Sequence, residues 1–410
     1  MSKIIELKDE IIKSDMLALS EEMKAELTRL LNYWSSVAID HVHGGFIGRI
    51  DHFGNKYPKA IKGVVLNARI LWTFAAAYRI TKQENYKDIA DLAFHYLINQ
   101  FWDKKDGGFV WALDYKGNVA SDRKQTYAQG FGIYALAEYN RATGNAQALE
   151  YARQLYYIIE NKYWDKEHGG YIEALKRDWS KLEDMRLSDK DANLPKSMNT
   201  HLHILEPYAN LYRIWPDLQL KQSIISLIKI FQDKIIDKKT GHFNLFFDMD
   251  WSQKSKAISF GHDIEGAWLM HEAAEVTGDE KIIRSVQQTA LNLVYITLEE
   301  GVDKDGSLFN EKDGDHLDTD KHWWPQAEAM VGLFDAWEIS GNKDYLFAIE
   351  KLWKFIKNKL VDKVNGEWYW SVNEKGVPHI EEDKVGFWKC PYHNCRALME
   401  FIVRIGKLNN

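Results

Sequence analysis

Long apolar runs, proline, cysteine and basic charge are what this sequence has least of. No segment approaches 18 consecutive apolar residues, so a membrane-spanning helix is not expected. The N-terminal stretch MSKIIELKDEIIKSD alternates charged and apolar residues and lacks the apolar core of a secretory leader. Cys390 and Cys395 are the only cysteines in 410 residues, poor material for a disulfide framework or a zinc site. A reducing, cytoplasmic setting is the expectation. Seven prolines are about a third of average usage, which with many Leu, Ala, Glu and Lys favours helix. Lys and Arg total 53 against 60 Asp and Glu, a net charge of −7, and no basic run offers a nucleic-acid surface. HExxH, GxSxG, a P-loop and a GxGxxG following a strand are all missing, so zincin, serine hydrolase, nucleotidase and dinucleotide-binding readings lack support. His41 and His43 form an HxH pair without a nearby third ligand, and neither a metal nor another cofactor is expected.

Aromatic residues, in contrast, are abundant: 16 Trp, 20 Tyr and 18 Phe. Aromatic rings pack cores, and their faces also stack on sugar rings. Many of them sit in a repeated, glycine-centred turn. The copies are HVHGGFIGRID at 41–51, WDKKDGGFVWALD at 102–114 and WDKEHGGYIEAL at 164–175, with weaker ones at 237–248, 303–311 and 362–372. The anchor glycines Gly44, Gly107, Gly169, Gly241, Gly306 and Gly366 recur every 60–72 residues. The turns themselves read as structural.

Between the turns lie pairs of segments with helical apolar spacing. The first members are 3–33, 84–101, 145–163, 217–236, 279–299 and 342–360; the second are 62–80, 126–142, 197–214, 262–276, 323–339 and 391–405. Six helical hairpins bury a continuous core only by stacking side by side, and six stacks can close into a ring. The expected fold is all-α, an (α/α)6 barrel with the charged first helices outside and the small, apolar and aromatic second helices inside. No linker rich in Pro, Gly or Ser divides the chain, so residues 1–410 are expected to be a single catalytic domain.

In such a barrel the inner helices all point the same way, and their N-terminal turns meet around one mouth. Each contributes a polar or aromatic group there: Arg69, Tyr127, Asn199 with His203, His262 with Glu265, Trp324 with Glu328, and His393. Asn199 and His203 share a face at i, i+4, whereas His201 points elsewhere; Trp268 follows on the side of His262 and Glu265 and is expected to line the substrate site with them. Trp388 lies in the loop before His393. A histidine near a helix N-terminus has its charged form disfavoured by the dipole, which keeps it usable as a base. A lone histidine in a helix is more often structural, and the tryptophans could simply fill the barrel. Three histidines on equivalent helices favour a site.

At GHDIEGAW (261–268), WWPQAEAMVG (323–332) and WKCPYHN (388–394) the chain closely resembles the N-acylglucosamine 2-epimerase superfamily, as it does at KGVVLNARILW (62–72) and MNTHLHILE (198–206). The resemblance implies an (α/α)6 barrel that inverts C2 of the reducing-end glucose in β-1,4-linked disaccharides without metal or nucleotide. It implies that His262 and His393 are the acid/base pair, and that Arg69, Asn199, His203, Glu265, Trp324, Glu328, Trp388 and Tyr127 line the substrate site. The chemistry suits these residue types. C2 is acidic only once the ring opens, and its deprotonation leaves an enediolate that a fixed cation, Arg69, stabilises. Inversion needs a proton handled on each face, hence two histidines. His203 is expected to assist ring opening, Glu265 to orient His262, and Trp324 and Trp388 to hold the sugar. A small-molecule sugar is the expected partner, with no nucleic acid, membrane or protein partner evident.

Three rivals stay open at this point. A glycoside hydrolase on the same barrel would use two carboxylates such as Glu265 and Glu328. An aldose–ketose isomerase would act on mannose-type sugars, and a sugar-binding protein would do no chemistry. The preferred disaccharide (cellobiose, lactose or mannobiose) and the oligomeric state are not legible.

Overall fold

The computed structural model describes residues 2–407, with side chains from Asp15 onward. Among these residues there are twelve α-helices. The outer set is α1 (Ser2–Val37), α3 (Glu84–Tyr96), α5 (Ala146–Ile158), α7 (Leu218–Ile230), α9 (Glu280–Glu300) and α11 (Asp344–Phe355). The inner set is α2 (Val64–Thr81), α4 (Thr126–Thr143), α6 (Met198–Tyr212), α8 (Phe260–Thr277), α10 (Trp323–Ser340) and α12 (Tyr392–Lys407). Inner helices pack in the order α2–α4–α6–α8–α10–α12 and α12 returns to α2, which closes the ring; α1 packs on α12. This is the (α/α)6 barrel, and no helix among the described residues is long and apolar enough to cross a membrane.

Local chemistry places the ends. Asn145, Asp217 and Asp279 accept backbone N–H groups in the first turns of α5, α7 and α9, satisfying donors that a helix start leaves free. Gly144, Gly278 and Gly341 close α4, α8 and α10 in the left-handed region, where only glycine is free of strain. Helices α8 and α10 are buried on nearly every side, because inner helices meet neighbours on both flanks, the outer ring behind and the barrel axis in front. Four outer helices end in a π turn, at 97–101, 159–163, 231–235 and 356–360.

The glycine turns form a second layer at the end of the barrel where the inner helices begin. Each is closed by one antiparallel bridge: Ile39–Phe46, Trp102–Phe109, Trp164–Tyr171, Ile236–Phe243, Val302–Leu308 and Val361–Trp368. Their six anchor glycines all have positive φ, from 72° to 89°. The two residues before an inner helix then pair with the strand after the next turn. Lys62 faces Leu113, Lys124 faces Leu175, Lys196 faces Phe247, Ile258 faces Lys312 and Lys321 faces Val372. A bridge between Ile50 and Val385 joins the last loop to the first.

Candidate active site

The mouth of the barrel holds a cavity of about 210 Å³ where the inner-helix N-termini converge. Arg69 reaches it from α2, Tyr127 from α4, Asn199 and His203 from α6, His262 and Glu265 from α8, Trp324 from α10 and His393 from α12, with Trp388 from the loop before α12. Trp323 completes this wall, and Leu187, Ser188 and Asp191 come from the loop before α6. These last four are not among the residues the sequence singles out, and the loop carries no repeat signal that would mark it. Two expected lining residues lie outside the cavity. Trp268 is 1% exposed and donates its indole N–H to Glu328 at 3.1 Å, and Glu328 is itself fully buried. Both stand behind the cavity wall, because their places on α8 and α10 carry them a turn deeper into the barrel.

His393 is held by that buried carboxylate, with Nδ1 2.6 Å from Glu328 Oε1. His203 is held in the same manner, Nδ1 lying 3.1 Å from Glu206 Oε2. His203 also sits at a break in α6, at φ −87° and ψ 16°. The cause is Pro207, four residues on, which has no N–H for the His203 carbonyl. Gly130 lets α4 pass that carbonyl, since a Cβ there would stand 2.2 Å from it.

His262 is different. Its Nδ1 lies 2.7 Å from Ser259 Oγ, a hydroxyl rather than a carboxylate. The expectation that Glu265 orients His262 is therefore corrected: Glu265 bonds Arg396 at 2.9 Å and lies 3.9 Å from His393 Nδ1. Trp324 contacts both imidazoles, its ring centroid 4.7 Å from His262 and 5.8 Å from His393. Enclosure holds all three histidines below the ordinary imidazole range, His262 at about 3, with nearby cations adding to the effect at His393. They are uncharged at neutral pH.

Beneath these groups lies Arg396, fully buried with its guanidinium over the Trp268 and Tyr392 rings. It donates to Glu206, to Tyr392, to Glu265 at 2.9 Å and to Glu328 at 2.7 Å. One cation thus ties together the carboxylates that hold two histidines. Glu206 is kept down to about 2, chiefly by Arg396 working against burial, whereas burial and the neighbouring Glu328 push Glu265 far up. Oxygen and nitrogen donors of Glu265, Glu328 and His393 lie within 4.8 Å of one another. The Arg396 guanidinium bonds both carboxylates, which gives them a cation from the protein itself. Arg396 and Glu206 are further residues that sequence reasoning passes over; the available signal was their i, i+3 spacing from His393 and His203.

Arg69 is the second buried cation. It donates to Tyr127 Oη at 2.8 Å and lies over the Phe131 ring at 4.3 Å from its centroid. Its charged surroundings are Tyr127, Cys390 and Tyr392, with no carboxylate paired to it among the described residues, and its Nε has no protein partner. Trp388 leans on Trp111, Phe387 and Tyr127 and keeps part of its surface open to the cavity.

Residues 45–397 match the family described as N-acylglucosamine 2-epimerase. The chain is 47% identical over 397 residues to the cellobiose 2-epimerase of Bacteroides fragilis, an alignment spanning 96% of this chain and 99% of that protein. The structure of cellobiose 2-epimerase from Bacillus thermoamylovorans superposes with a TM-score of 0.90 at 41% identity, covering 94% of this chain and 99% of that one. A D-mannose isomerase crystal structure shares the fold, with a TM-score of 0.81 at 22% identity over 94% of this chain and 97% of the other. With its barrel closed and its sequence matched from the first glycine turn to the last helix, the chain belongs to the N-acylglucosamine 2-epimerase family.

Proposed function

We propose that this chain, working as one catalytic domain in the cytoplasm, inverts C2 of the reducing-end glucose of β-1,4-linked disaccharides. Cellobiose would give glucosyl-mannose and lactose would give epilactose. One observation carries the reading: two uncharged imidazoles, His262 and His393, face one cavity beside a buried arginine with no carboxylate partner. Two bases and an unneutralised cation are what C2 inversion through an enediolate requires. The likeness in sequence and structure to cellobiose 2-epimerases supports the choice of substrate.

His203, backed by Glu206, moves the proton between the anomeric hydroxyl and ring oxygen that opens the pyranose. One of His262 and His393 then takes the C2 proton. In His393 the Nδ1–H donates to Glu328, so Nε2 carries the lone pair. In His262 the Ser259 hydroxyl donates to Nδ1 instead, so Nε2 carries the proton that the opposite face of C2 receives, and both histidines return to their starting states by exchange with solvent. Arg69 stabilises the enediolate oxygens, and turning the enediolate about C2–C3 is unnecessary because the second histidine reprotonates C2 from the opposite face. Asn199, whose Oδ1 is buried without a protein partner, accepts a sugar hydroxyl, and Trp388 and Trp324 stack on the sugar.

Incubation of the purified protein with cellobiose, lactose, mannobiose, mannose and N-acetylglucosamine, followed by separation of the products, tests the reading. A C2 epimer of unchanged mass is the expected product of the disaccharides. Monosaccharides would mean hydrolysis, and ketose as the dominant product would mean isomerisation; either contradicts it.

A further inference from the structure

The six repeats face one packing problem, and the fourth meets it differently. In the other five a buried lysine reaches the aspartate of the glycine turn: Lys62–Asp40 at 2.8 Å, Lys124–Asp103 at 3.0 Å, Lys196–Asp165 at 2.6 Å, Lys321–Asp303 at 3.0 Å and Lys384–Asp362 at 2.8 Å. The first four of these lysines stand two residues before their inner helix, and in the fourth repeat that position is Ile258. Instead His242 takes the place of Gly45, Gly108 and Gly170 in the first three turns, and its imidazole pairs not with the turn aspartate Asp237 but with a carboxylate of α8. His242 is 2% exposed, and its Nδ1 lies 2.7 Å from Asp263 Oδ2. Asp263 is a replacement too. At the same point on their helices Gln129, His201 and Gln326 accept the backbone N–H of Phe109, Tyr171 and Leu308 with neutral side chains. Asp263 accepts that of Phe243 at 2.9 Å with a carboxylate.

The repeat so altered is the one that carries His262, the residue next to Asp263. We propose that His242 and Asp263 are positioning residues for His262: their pair fixes the first turn of α8 against the fourth glycine turn, and the imidazole makes that hold responsive to pH. This inference rests on the reading that His262 exchanges a proton with C2. Ser259, at the N-cap of α8, gives that helix no side-chain cap, because its hydroxyl bonds His262 Nδ1. The bonds of Asp263 to Phe243 and His242 therefore do the fixing.

The charged groups facing His242 are Asp263 from α8 and Glu300 from the end of α9, whose Oε2 is 3.7 Å from Nε2; Lys312, on the hairpin strand 311–313, lies 3.7 Å from Glu300 in turn. Burial opposes the imidazolium, but the two carboxylates outweigh it and hold His242 above the ordinary imidazole range. Below that raised value the pair is imidazolium and carboxylate. Above it a neutral imidazole faces a buried carboxylate, so the hold on α8 weakens as pH rises.

Imidazole NMR of the full-length protein between about pH 5 and pH 9, a window far above the titration of His262 itself, tests this directly. The expected result is that His242 titrates above the ordinary imidazole value and that the His262 resonances move with the same midpoint. In His242→Gln and in Asp263→Asn that movement disappears. In both variants kcat on cellobiose falls on the order of ten- to a hundredfold with KM nearly unchanged, and the alkaline limb of kcat shifts. His262 resonances indifferent to the His242 titration would overturn the proposal, as would a folded His242→Gln protein with the wild-type kcat and pH profile. If the wild-type protein fails to epimerise cellobiose, the functional reading falls, and the NMR titration still decides whether the pair positions His262.

Discussion

At the scale of single residues, the site separates groups that face the cavity from groups that hold those groups. His262→Ala and His393→Ala should each abolish epimerisation while the protein stays folded, because inversion handles a proton on both faces of C2 and neither histidine can cover for the other. Arg69→Ala should lower kcat about 10²-fold or more, since its charge matters most once the enediolate forms. Trp388→Ala should act on binding instead. Losing one stacking face costs about 1 kcal/mol, a roughly fivefold rise in KM. Steady-state kinetics on cellobiose with circular dichroism of each variant checks all four, and a Trp388→Ala protein losing kcat at constant KM would place that ring in the chemistry. The groups that face the cavity were legible from the sequence because they fall near the N-termini of the inner helices. The groups that hold them were harder to read. Arg396 and Glu206 sit among apolar residues of α12 and α6, where a charge is costly unless paired, and their partners come from helices up to 190 residues away in sequence. Trp268 and Glu328 were read as lining residues because helical periodicity gives a face but not a depth along the axis.

At the scale of elements, apolar spacing and glycine turns were enough for all twelve helices. The helix α9 expected at 279–299 spans Glu280–Glu300, and the α12 expected at 391–405 spans Tyr392–Lys407. The buried lysines at the ends of the inner helices were missed, since lysine in a loop reads as a solvent-facing residue until the fold closes over it. These pairs give a sharp test of what joins the turn layer to the barrel. Lys62 and Asp40 are 1% and 5% exposed. Lys62→Met should destabilise by about 3–5 kcal/mol in urea unfolding, because Asp40 is left buried without its cation. The double variant Lys62→Met with Asp40→Leu should recover much of the loss. A Lys62→Met protein of wild-type stability would show that the pair does not fasten the turn.

At the scale of the whole molecule, the buried histidines make stability depend on pH. His262 is held at about 3 and His201 at about 4, against an ordinary 6.5. The unfolded chain therefore binds more protons than the folded one between those values, and their contribution is present above pH 6.5 and lost as pH falls through the window. Glu206, held at about 2, acts in the same sense below its ordinary 4.5, while Glu173, raised by burial to about 7, works the other way. His201→Gln isolates one share: Gln129 and Gln326 already do its backbone work in other repeats. The variant should fold, and its melting temperature should fall less steeply than the wild type's between about pH 6.5 and 4; an unchanged slope would show that His201 is not held neutral. The account as a whole turns on a proton leaving one face of C2 and another arriving on the opposite face. NMR of the products formed from cellobiose in D2O reads that event directly. Two-histidine inversion predicts glucosyl-mannose with deuterium at C2. An epimer that retains protium at C2, or glucose released from the disaccharide, would contradict it.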